Sequence, residues 1–209
     1  MRVAILDYDA GNVTSVQRSL ANLGHDGVIT ADPAVVARCE RIIFPGVGAA
    51  GTCMGVLKAR KLDGLLRDAD RAGTPILCVC VGLQLLFEHS DEDGGTECLG
   101  LLPGKVVRFT PDAAGRIGGH DGIKVPHMGW NQVAFRAGDP LARELPALWF
   151  YFVHSYYCVP ADPAVVIATS DHGIPFCAGV RRGNLAAVQF HPEKSGPAGL
   201  KLLSNFLAA

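Results

Sequence analysis

Short, continuously apolar strands alternate with helical segments through the first half of the chain. The strands are RVAILDY (2–8), RIIF (41–44) and ILCVCV (76–81). A helical periodicity that begins at Val13 stops at Gly24, a residue that commonly ends helices. Strands without polar alternation are buried on both faces, and intervening helices imply parallel pairing. This half therefore predicts a doubly wound α/β fold.

The second half of the chain has a different pattern. Six apolar segments follow one another with only turns between them, at 105–109, 130–135, 147–159, 164–170, 176–183 and 185–191. Such spacing predicts antiparallel or mixed strands added to the parallel core. Helices are predicted over 52–72 with a break near 61–64, over 82–88, and from about Ser195. The whole chain, 1–209, is expected to form a single doubly wound α/β domain with a mostly parallel central sheet.

Charge and cysteine content narrow the classes of function. The formal net charge of -1 gives no support to a nucleic-acid or membrane surface. Asp7 and Asp9 interrupt the N-terminal segment where a signal peptide would continue its apolar run. The seven cysteines are odd in number and scattered, which favours a reducing cytoplasm over a disulfide framework.

Cys80 stands out because it follows a buried strand at the point where a helix is predicted to begin. In a doubly wound sheet, ligands bind beyond the carboxyl ends of the strands. A cysteine on a sharp turn there, followed two residues later by Gly82, has the arrangement of a nucleophile elbow. The start of a helix would favour the thiolate. The alternative is that Cys80 is a small core residue, and the two readings are about evenly balanced on this pattern alone.

Cys78 lies two residues before Cys80 and is expected to share its face of the strand at greater depth. Packing is its expected role. A metal site would require Cys-x2–4-Cys with further ligands, and a redox couple would require Cys-x-x-Cys, so Cys-x-Cys fits neither well.

His191 and Glu193 follow the last apolar strand. Residues two apart in an extended segment point the same way, so His191 can face Cys80 while Glu193 orients the imidazole. This gives a nucleophile, a base and an orienting carboxylate. His127 and His154 also lie near strand ends and are competing candidates for the base.

The PGVG loop (45–48) follows the strand RIIF and contains two glycines. Such a loop can turn backbone N–H groups toward a ligand. Val47 N–H and Val81 N–H, the latter directly after Cys80, are the expected donors to an oxyanion.

Taken together, these motifs resemble the class I, triad-type glutamine amidotransferases, whose signature is Gly-x-Cys-x-Gly followed by His-x-Glu. Within that class the chain is similar to the glutaminase subunits of imidazole glycerol phosphate synthase, which belong to histidine biosynthesis. The likeness runs nearly end to end and includes PGVG (45–48), GLQLLFE (82–88), GLLPGKVVRF (100–109), KVPHMGWN (124–131), YFVHSYY (151–157) and QFHPEKSG (189–196). A free-standing chain of this extent also fits a separate subunit.

The resemblance implies hydrolysis of L-glutamine through Cys80, His191 and Glu193. It implies that Gly48, Gln84, Ser155 and Tyr156 bind the substrate. It further implies a heterodimer with a (β/α)8-barrel cyclase subunit that receives the ammonia through a tunnel, with Lys194, Trp130 and Asn12 of the DYDAGN loop (7–12) facing that partner. No cofactor, metal ion, nucleic acid or membrane is expected.

Two positions depart from the family pattern. Cys78 stands where the signature has its first glycine, which adds bulk behind the elbow. Asp9 stands where the first loop usually has glycine, although aspartate tolerates positive φ better than most residues. Two other functions stay open: a class I glutaminase serving chorismate-using or vitamin B6 synthesis, and a non-catalytic scaffold that retains the fold.

Overall fold

The first half of the chain forms the predicted parallel sheet in a computed structural model, which describes residues 1–9 and 12–209. Strands β1, β2, β3 and β4 pair in the order β2-β1-β3-β4, all parallel. The elements are β1 (Arg2–Leu6), α1 (Val13–Asn22), β2 (Asp26–Thr30), α2 (Pro33–Val36), β3 (Arg41–Phe44), α3 (Ala50–Ala59), α4 (Leu62–Arg71), β4 (Ile76–Val79) and α5 (Val81–Gln84).

The second half extends this sheet, as predicted, with antiparallel strands. β14 returns beside β4 in parallel, and β13, β11 and β7 follow it in antiparallel pairing. The elements are β5 (His89–Ser90), β6 (Thr96–Glu97), β7 (Gly104–Arg108), β8 (His127–Gln132), β9 (Ala134–Phe135), β10 (Trp149–His154), β11 (Tyr156–Pro160), β12 (Val166–Asp171), β13 (Pro175–Arg182), β14 (Leu185–Val188) and α6 (Gly196–Ala208). The predicted fold class is confirmed.

Strands β8 and β10 form a separate two-stranded ribbon, which the sequence did not predict. The long apolar run 147–159 divides at Ser155, where the chain leaves the ribbon and enters β11 of the main sheet. Phe150 and Phe152 point inward, with their ring centroids 4.2 and 5.6 Å from that of Phe190. The residues of β10 between these two phenylalanines and on either side of them lie on the outer face of the ribbon. Only the inner face of the ribbon therefore packs over the end of β14.

The predicted helix over 82–88 is wrong in length, because α5 ends at Gln84. The carbonyls that would continue the helix are used by a neighbouring loop instead. Leu99 N–H donates to the Leu85 carbonyl at 2.9 Å, and Gly100 N–H donates to the Phe87 carbonyl at 2.7 Å. Leu85 and Phe87 are fully buried. Tertiary hydrogen bonds and burial therefore replace the helical turn.

The helices keep the predicted boundaries more closely elsewhere. Gly24 has φ 78° directly after α1, and Lys61, with φ 58°, separates α3 from α4 inside the predicted break. In the part of the chain that the structure describes, no helix is long and apolar enough to cross a membrane.

Candidate active site

The carboxyl ends of three neighbouring strands open onto one cavity of about 290 Å³. Val47 and Gly48 reach it from the loop after β3, Cys80 from the end of β4, and His191 from the segment after β14. The strand order β3-β4-β14 makes these ends adjacent although they are far apart in the sequence. The cavity is near the lower end of the range for small-molecule sites, about 300–1,000 Å³.

Cys80 occupies a strained turn between β4 and α5. Its φ of 56° and ψ of -115° lie outside the regions that residues other than glycine usually adopt. Cys80 N–H still donates to the Val188 carbonyl at 2.8 Å, so the sheet is intact up to the turn itself. This is the backbone geometry of a nucleophile elbow, which lifts the side chain off the sheet toward the cavity.

Two glycines allow the loop after β3 to pack directly on this turn. A Cβ on Gly82 would lie 2.5 Å from the Phe44 carbonyl oxygen. A Cβ on Gly46 would meet the backbone nitrogen of Gly82 well inside contact distance. Backbone therefore contacts backbone at the elbow, and a side chain at either position would separate the two segments.

The bulk of Cys78 is accommodated behind the elbow. Its side chain is fully buried, and its Cβ lies 3.5 Å from where a Cβ on Gly82 would stand, an ordinary contact distance. Burial, with a smaller contribution from Asp70, raises the pKa of the Cys78 thiol. A neutral, buried thiol packs like a small apolar side chain.

Side chains from the core hold the carbonyl groups of the PGVG loop. The Tyr8 hydroxyl donates to the Pro45 carbonyl at 2.8 Å, and the Cys53 thiol donates to the Val47 carbonyl at 3.6 Å. Both carbonyls thus point into the protein. Gly48 has φ 101°, a conformation that favours glycine, where the loop passes the cavity.

His191 and Glu193 form a buried pair. His191 Nδ1 lies 2.7 Å from Glu193 Oε1, and each side chain is about 1% exposed. Their contact differs from the predicted strand alternation, because β14 ends at Val188 and 192–194 form a single 3-10 turn. Ser195 Oγ donates to the His191 carbonyl at 2.6 Å and fixes this turn. His191 Nε2 has no hydrogen-bond partner in the described residues.

The protonation of His191 depends on its neighbours. Burial lowers the pKa of its imidazole, but the interactions with the Cys80 thiol and then with the Glu193 carboxylate outweigh burial and raise it to about 9. The imidazolium is favoured because it lies between a sulfur and a carboxylate that can both carry negative charge. His191 can therefore accept a proton and hold it.

A second group of polar residues also lines the cavity. Gln84, Ser155 and Tyr156, which the resemblance implies as substrate-binding residues, all lie there. Gln84 Nε2 donates to the Tyr156 carbonyl at 3.0 Å and to Gln189 Oε1 at 3.1 Å. Gln189 Nε2 in turn lies 3.8 Å from Cys80 Sγ.

The sequence did not single out Glu92 or Gln189. Glu92 lines the cavity, and its Oε2 accepts a hydrogen bond from Ala50 N–H at 2.7 Å. Burial raises the pKa of the Glu92 carboxyl despite that bond. The sequence does not distinguish Glu92, because it belongs to an acidic, turn-like stretch. Gln189 could have been noticed, because it is a polar residue that follows the buried run LAAV.

The competing histidines pair with each other beside the cavity. His127 Nδ1 and His154 Nε2 are 2.9 Å apart, across the β8–β10 ribbon. His154 lines the cavity, whereas the Glu193 carboxylate pairs with His191. The arrangement of thiol, imidazole and carboxylate is therefore built around His191.

The three residues predicted to face a partner lie on one side of the molecule. Lys194 is exposed, with its ammonium 5.9 Å from the centroid of the Tyr151 ring. Tyr151 stands opposite Trp130 in the ribbon, and Trp130 is 55% exposed. Asn12 Nδ2 donates to Glu193 Oε1 and so joins this side to the buried pair.

Asp9 lies in the first loop with a positive φ of 64°. Aspartate tolerates this conformation better than most residues, so the loop can accommodate it. The Asp9 carboxylate forms an ion pair with Arg60, and Arg60 Nη1 also donates to the Asp7 carbonyl at 3.2 Å. The added negative charge is thus balanced within the chain. Ala10 and Gly11 of the DYDAGN loop lie outside the described residues.

The fold agrees with comparisons to known proteins. A sequence model of the family described as "Glutamine amidotransferase class-I" matches residues 4–209. Solved structures share the fold at low identity. "Structure of PurLQS from Thermotoga maritima" aligns with a TM-score of 0.73 at 21% identity, covering 99% of this chain and 97% of that one. The fold and the matched family define the class as that of the class I glutamine amidotransferases.

Relatives of higher sequence identity show which family within this class the chain belongs to. An "Imidazole glycerol phosphate synthase subunit HisH" from Methylococcus capsulatus is 50% identical, covering 98% of this chain and 95% of its own length. The protein of the same name from Aromatoleum aromaticum is 49% identical, covering 99% of this chain and 97% of its own length. The chain belongs to the HisH family of class I glutamine amidotransferases.

Proposed function

We propose that this chain is a glutaminase that hydrolyses L-glutamine to L-glutamate and ammonia, with Cys80, His191 and Glu193 as its catalytic triad. The observation that carries the proposal is the convergence of a strained, cavity-facing Cys80 and a buried His191–Glu193 pair on one cavity. Membership of the HisH family supports it. The chain acts as one glutaminase domain over its full length.

In the first step Cys80 passes its proton to His191 Nε2, and the sulfur attacks the side-chain amide carbon of glutamine. The amide oxygen gains a negative charge as the tetrahedral intermediate forms. Val81 N–H and Val47 N–H donate hydrogen bonds to that oxygen, and each such donor is typically worth about 10²–10³ in rate.

In the second step His191 gives its proton to the amide nitrogen, the carbon–nitrogen bond breaks, and ammonia leaves. A thioester remains on Cys80. Water then attacks the thioester carbonyl while His191 takes a proton from it. The carbon–sulfur bond breaks, His191 returns the proton to the sulfur, and glutamate leaves. Glu193 accepts the Nδ1–H hydrogen bond throughout and holds the ring in one tautomer.

Polar groups that line the cavity recognise the amino-acid end of glutamine. The backbone at Ser155 and Tyr156 and the amide of Gln84 bind its polar groups, and Gly48 lines the same cavity. Glu92, whose carboxylate accepts from Ala50 N–H just after the PGVG loop, also lines the cavity and suits the α-ammonium group. The site therefore holds the amino-acid end of the substrate.

Ammonia passes to a (β/α)8-barrel cyclase subunit that makes imidazole glycerol phosphate, with which the chain forms a heterodimer. The outer face of the ribbon is the docking surface, because it exposes large apolar side chains. These are Met128 at 63%, Trp130 at 55% and Trp149 at 51% exposure. Exposed aromatic residues of this kind are typical anchors of protein interfaces. Lys194 and Asn12 connect this face to Glu193.

The competing functions have less support. A glutaminase of chorismate-using or vitamin B6 synthesis would share the triad, but the relatives of 42–50% identity are subunits of imidazole glycerol phosphate synthase. A non-catalytic scaffold would not need the strained Cys80 backbone. The seven cysteines are unpaired, which fits a reducing compartment such as the cytoplasm.

Glutamine hydrolysis by the isolated chain and by its complex with the cyclase tests the proposal. We expect slow hydrolysis by the chain alone and faster hydrolysis when the cyclase and its ribonucleotide ligand are bound, because uncoupled release wastes ammonia. Imidazole glycerol phosphate should form only in the complex. High turnover without the cyclase, or no turnover with it, would contradict the proposal.

Trp130→Glu tests the docking surface in the same assay. Burying an unpaired carboxylate at an apolar contact should weaken the complex at least about tenfold, about 1.4 kcal/mol. Val159→Glu is the control, since Val159 is 40% exposed on β11 of the main sheet rather than on the ribbon. Equal affinity of both variants for the cyclase would place the interface elsewhere.

Cys78→Gly tests whether Cys78 only packs. We expect kcat/KM for glutamine to stay within about tenfold of the parent value, about 1.4 kcal/mol of transition-state stabilisation. Unfolding should become easier, because a buried side chain is lost and the strand gains backbone freedom. Steady-state kinetics and thermal unfolding measure the two effects, and a much larger kinetic loss would assign Cys78 a part in the chemistry.

A further inference from the structure

A line of hydrogen bonds joins the β8–β10 ribbon to the glutamine cavity. Asn131 Nδ2 lies 3.1 Å from His127 Nε2, and His127 Nδ1 lies 2.9 Å from His154 Nε2. His154 Nδ1 lies 2.8 Å from the Tyr156 carbonyl oxygen. His127 and His154 face each other in the register of the ribbon.

The Tyr156 carbonyl fixes the direction of this line. A carbonyl only accepts, so His154 Nδ1 carries the hydrogen, and Nε2 of a neutral His154 carries a lone pair. His127 must then donate from Nδ1, which leaves its Nε2 to accept from the Asn131 amide. Asn131 is oriented by its own bonds, from Nδ2 to the Asp171 carbonyl at 2.7 Å and from Gln132 N–H to Oδ1 at 2.7 Å.

The line of hydrogen bonds forms only while both imidazole rings are neutral. The surroundings of the two rings keep them neutral by lowering their pKa values. Burial, and then the nearby His172, lower the pKa of His127 to about 4. Burial lowers the pKa of His154 to about 3, although its bond to the Tyr156 carbonyl acts in the opposite direction. A proton added to either ring would place two N–H groups face to face.

Aromatic packing prevents the rings from turning. The His127 ring stacks between Phe152 and His172, with centroid distances of 4.7 and 4.1 Å and interplanar angles of 26° and 27°. Phe176 meets the rings of His127 and His154 at 5.7 and 5.3 Å. His172 is outside the line, because its Nε2 bonds to the Lys124 carbonyl at 2.9 Å.

The line ends on the residues that contact the cavity. The Tyr156 carbonyl also accepts from Gln84 Nε2, whose second hydrogen goes to Gln189 Oε1. Both Gln84 hydrogens are thus used, which leaves Gln84 Oε1 as the acceptor that can serve a ligand. The orientation of this amide depends on the position of the Tyr156 carbonyl.

We propose that His127 and His154 are positioning residues for the glutamine site, which hold the Tyr156 carbonyl and, through it, the Gln84 amide in the orientation that recognises substrate. The inference rests on the proposed glutaminase function. Neither ring touches the reacting amide, so the pair acts on the KM for glutamine rather than on the chemical step.

The tautomers of His127 and His154 test the line of hydrogen bonds without an assay of enzyme activity. Long-range ¹H–¹⁵N spectra of the folded chain at neutral pH should show His127 and His154 neutral and protonated at Nδ1, and His172 protonated at Nε2. An Nε2–H tautomer on His127 or His154 would overturn the line whether or not the chain is a glutaminase.

Variants in the complex with the cyclase test the positioning. We expect His127→Leu to raise the KM for glutamine about tenfold, with kcat within about threefold, because the His154 lone pair loses its donor. His127→Asn should recover KM to within about threefold of the parent, since its amide nitrogen lies near the position of Nδ1. His172→Phe, which keeps the stacking, should leave KM unchanged.

The outcomes separate the two proposals. A lower kcat with unchanged KM in His127→Leu, or no rescue by His127→Asn, would overturn the positioning role while glutamine turnover by the parent complex upholds the glutaminase. If His127→Leu does not fold, Asn131→Leu removes the donor at the other end, and an unchanged KM there would also overturn the role. A parent complex without glutamine turnover would overturn the glutaminase and this role together.

Discussion

The Cys80→Ala complex is expected to lose glutamine-dependent synthesis of imidazole glycerol phosphate by about 10⁴-fold or more, while synthesis from added ammonia continues. In the proposed mechanism Cys80 forms the covalent bond that splits amide hydrolysis into two steps, and among the described residues it is the one thiol that lines the cavity. The cyclase has its own chemistry, and besides its ribonucleotide ligand it requires only ammonia. The Cys80→Ala variant therefore separates glutamine-dependent synthesis from ammonia-dependent synthesis.

Both rates should be measured on the same preparation of the complex. Cys98→Ala is a matched control, because Cys98 is half-buried in a loop and does not line the cavity. It should leave both rates within about twofold. Loss of both activities in Cys80→Ala would refute the division of labour, and retention of both would require another nucleophile.

Gly82→Ala is expected to have the second largest effect. The new Cβ would lie 2.5 Å from the Phe44 carbonyl oxygen, a backbone atom that cannot turn aside. The elbow must move away from β3, and with it the Val81 N–H and the Cys80 sulfur. We expect kcat to fall at least about 10²-fold, because small misplacements of reacting groups cost that much, and stability to fall by about 1–3 kcal/mol.

Gly55→Ala is the control for Gly82→Ala. Gly55 lies within α3 with open space around its Cα, so an added methyl group should stabilise the chain by about 0.5–1 kcal/mol. Adding Cys78→Gly to Gly82→Ala should not restore activity, since the clash is with backbone. Full activity of Gly82→Ala would show that the contact between β3 and the elbow is not needed.

The sequence predicted the parts of the site that depend on strand ends. Cys80 and His191 each follow a short, uniform apolar run that indicates a buried strand. Parallel strands end at the same edge of the sheet, so the sequence allows these residues to meet in one crevice, and the adjacency of β4 and β14 brings them together. The role of Gly82 could be interpreted from the sequence, because a glycine at the turn from a strand into a helix indicates that another segment packs closely against the backbone.

The sequence did not predict features that depend on contacts between distant segments. α5 stops at Gln84 because the loop at 98–102 takes the carbonyls of 85–88, and periodicity carries no information about such bonds. The ribbon separates at Ser155 within a continuous apolar run. On the sequence alone His127 and His154 compete with His191, because their mutual hydrogen bond depends on the register of the ribbon, which the sequence does not display.

Covalent labelling by a glutamine-shaped electrophile is the most direct test of the central claim that Cys80 is the nucleophile of a glutamine site. Cys39 and Cys98 are more accessible than Cys80, which is about 3% exposed, so a non-selective reagent would label them first. We predict one adduct per chain in the complex, mapped to Cys80 by mass spectrometry and prevented by excess glutamine. No adduct on Cys80, or one on another cysteine that glutamine does not prevent, would contradict the account.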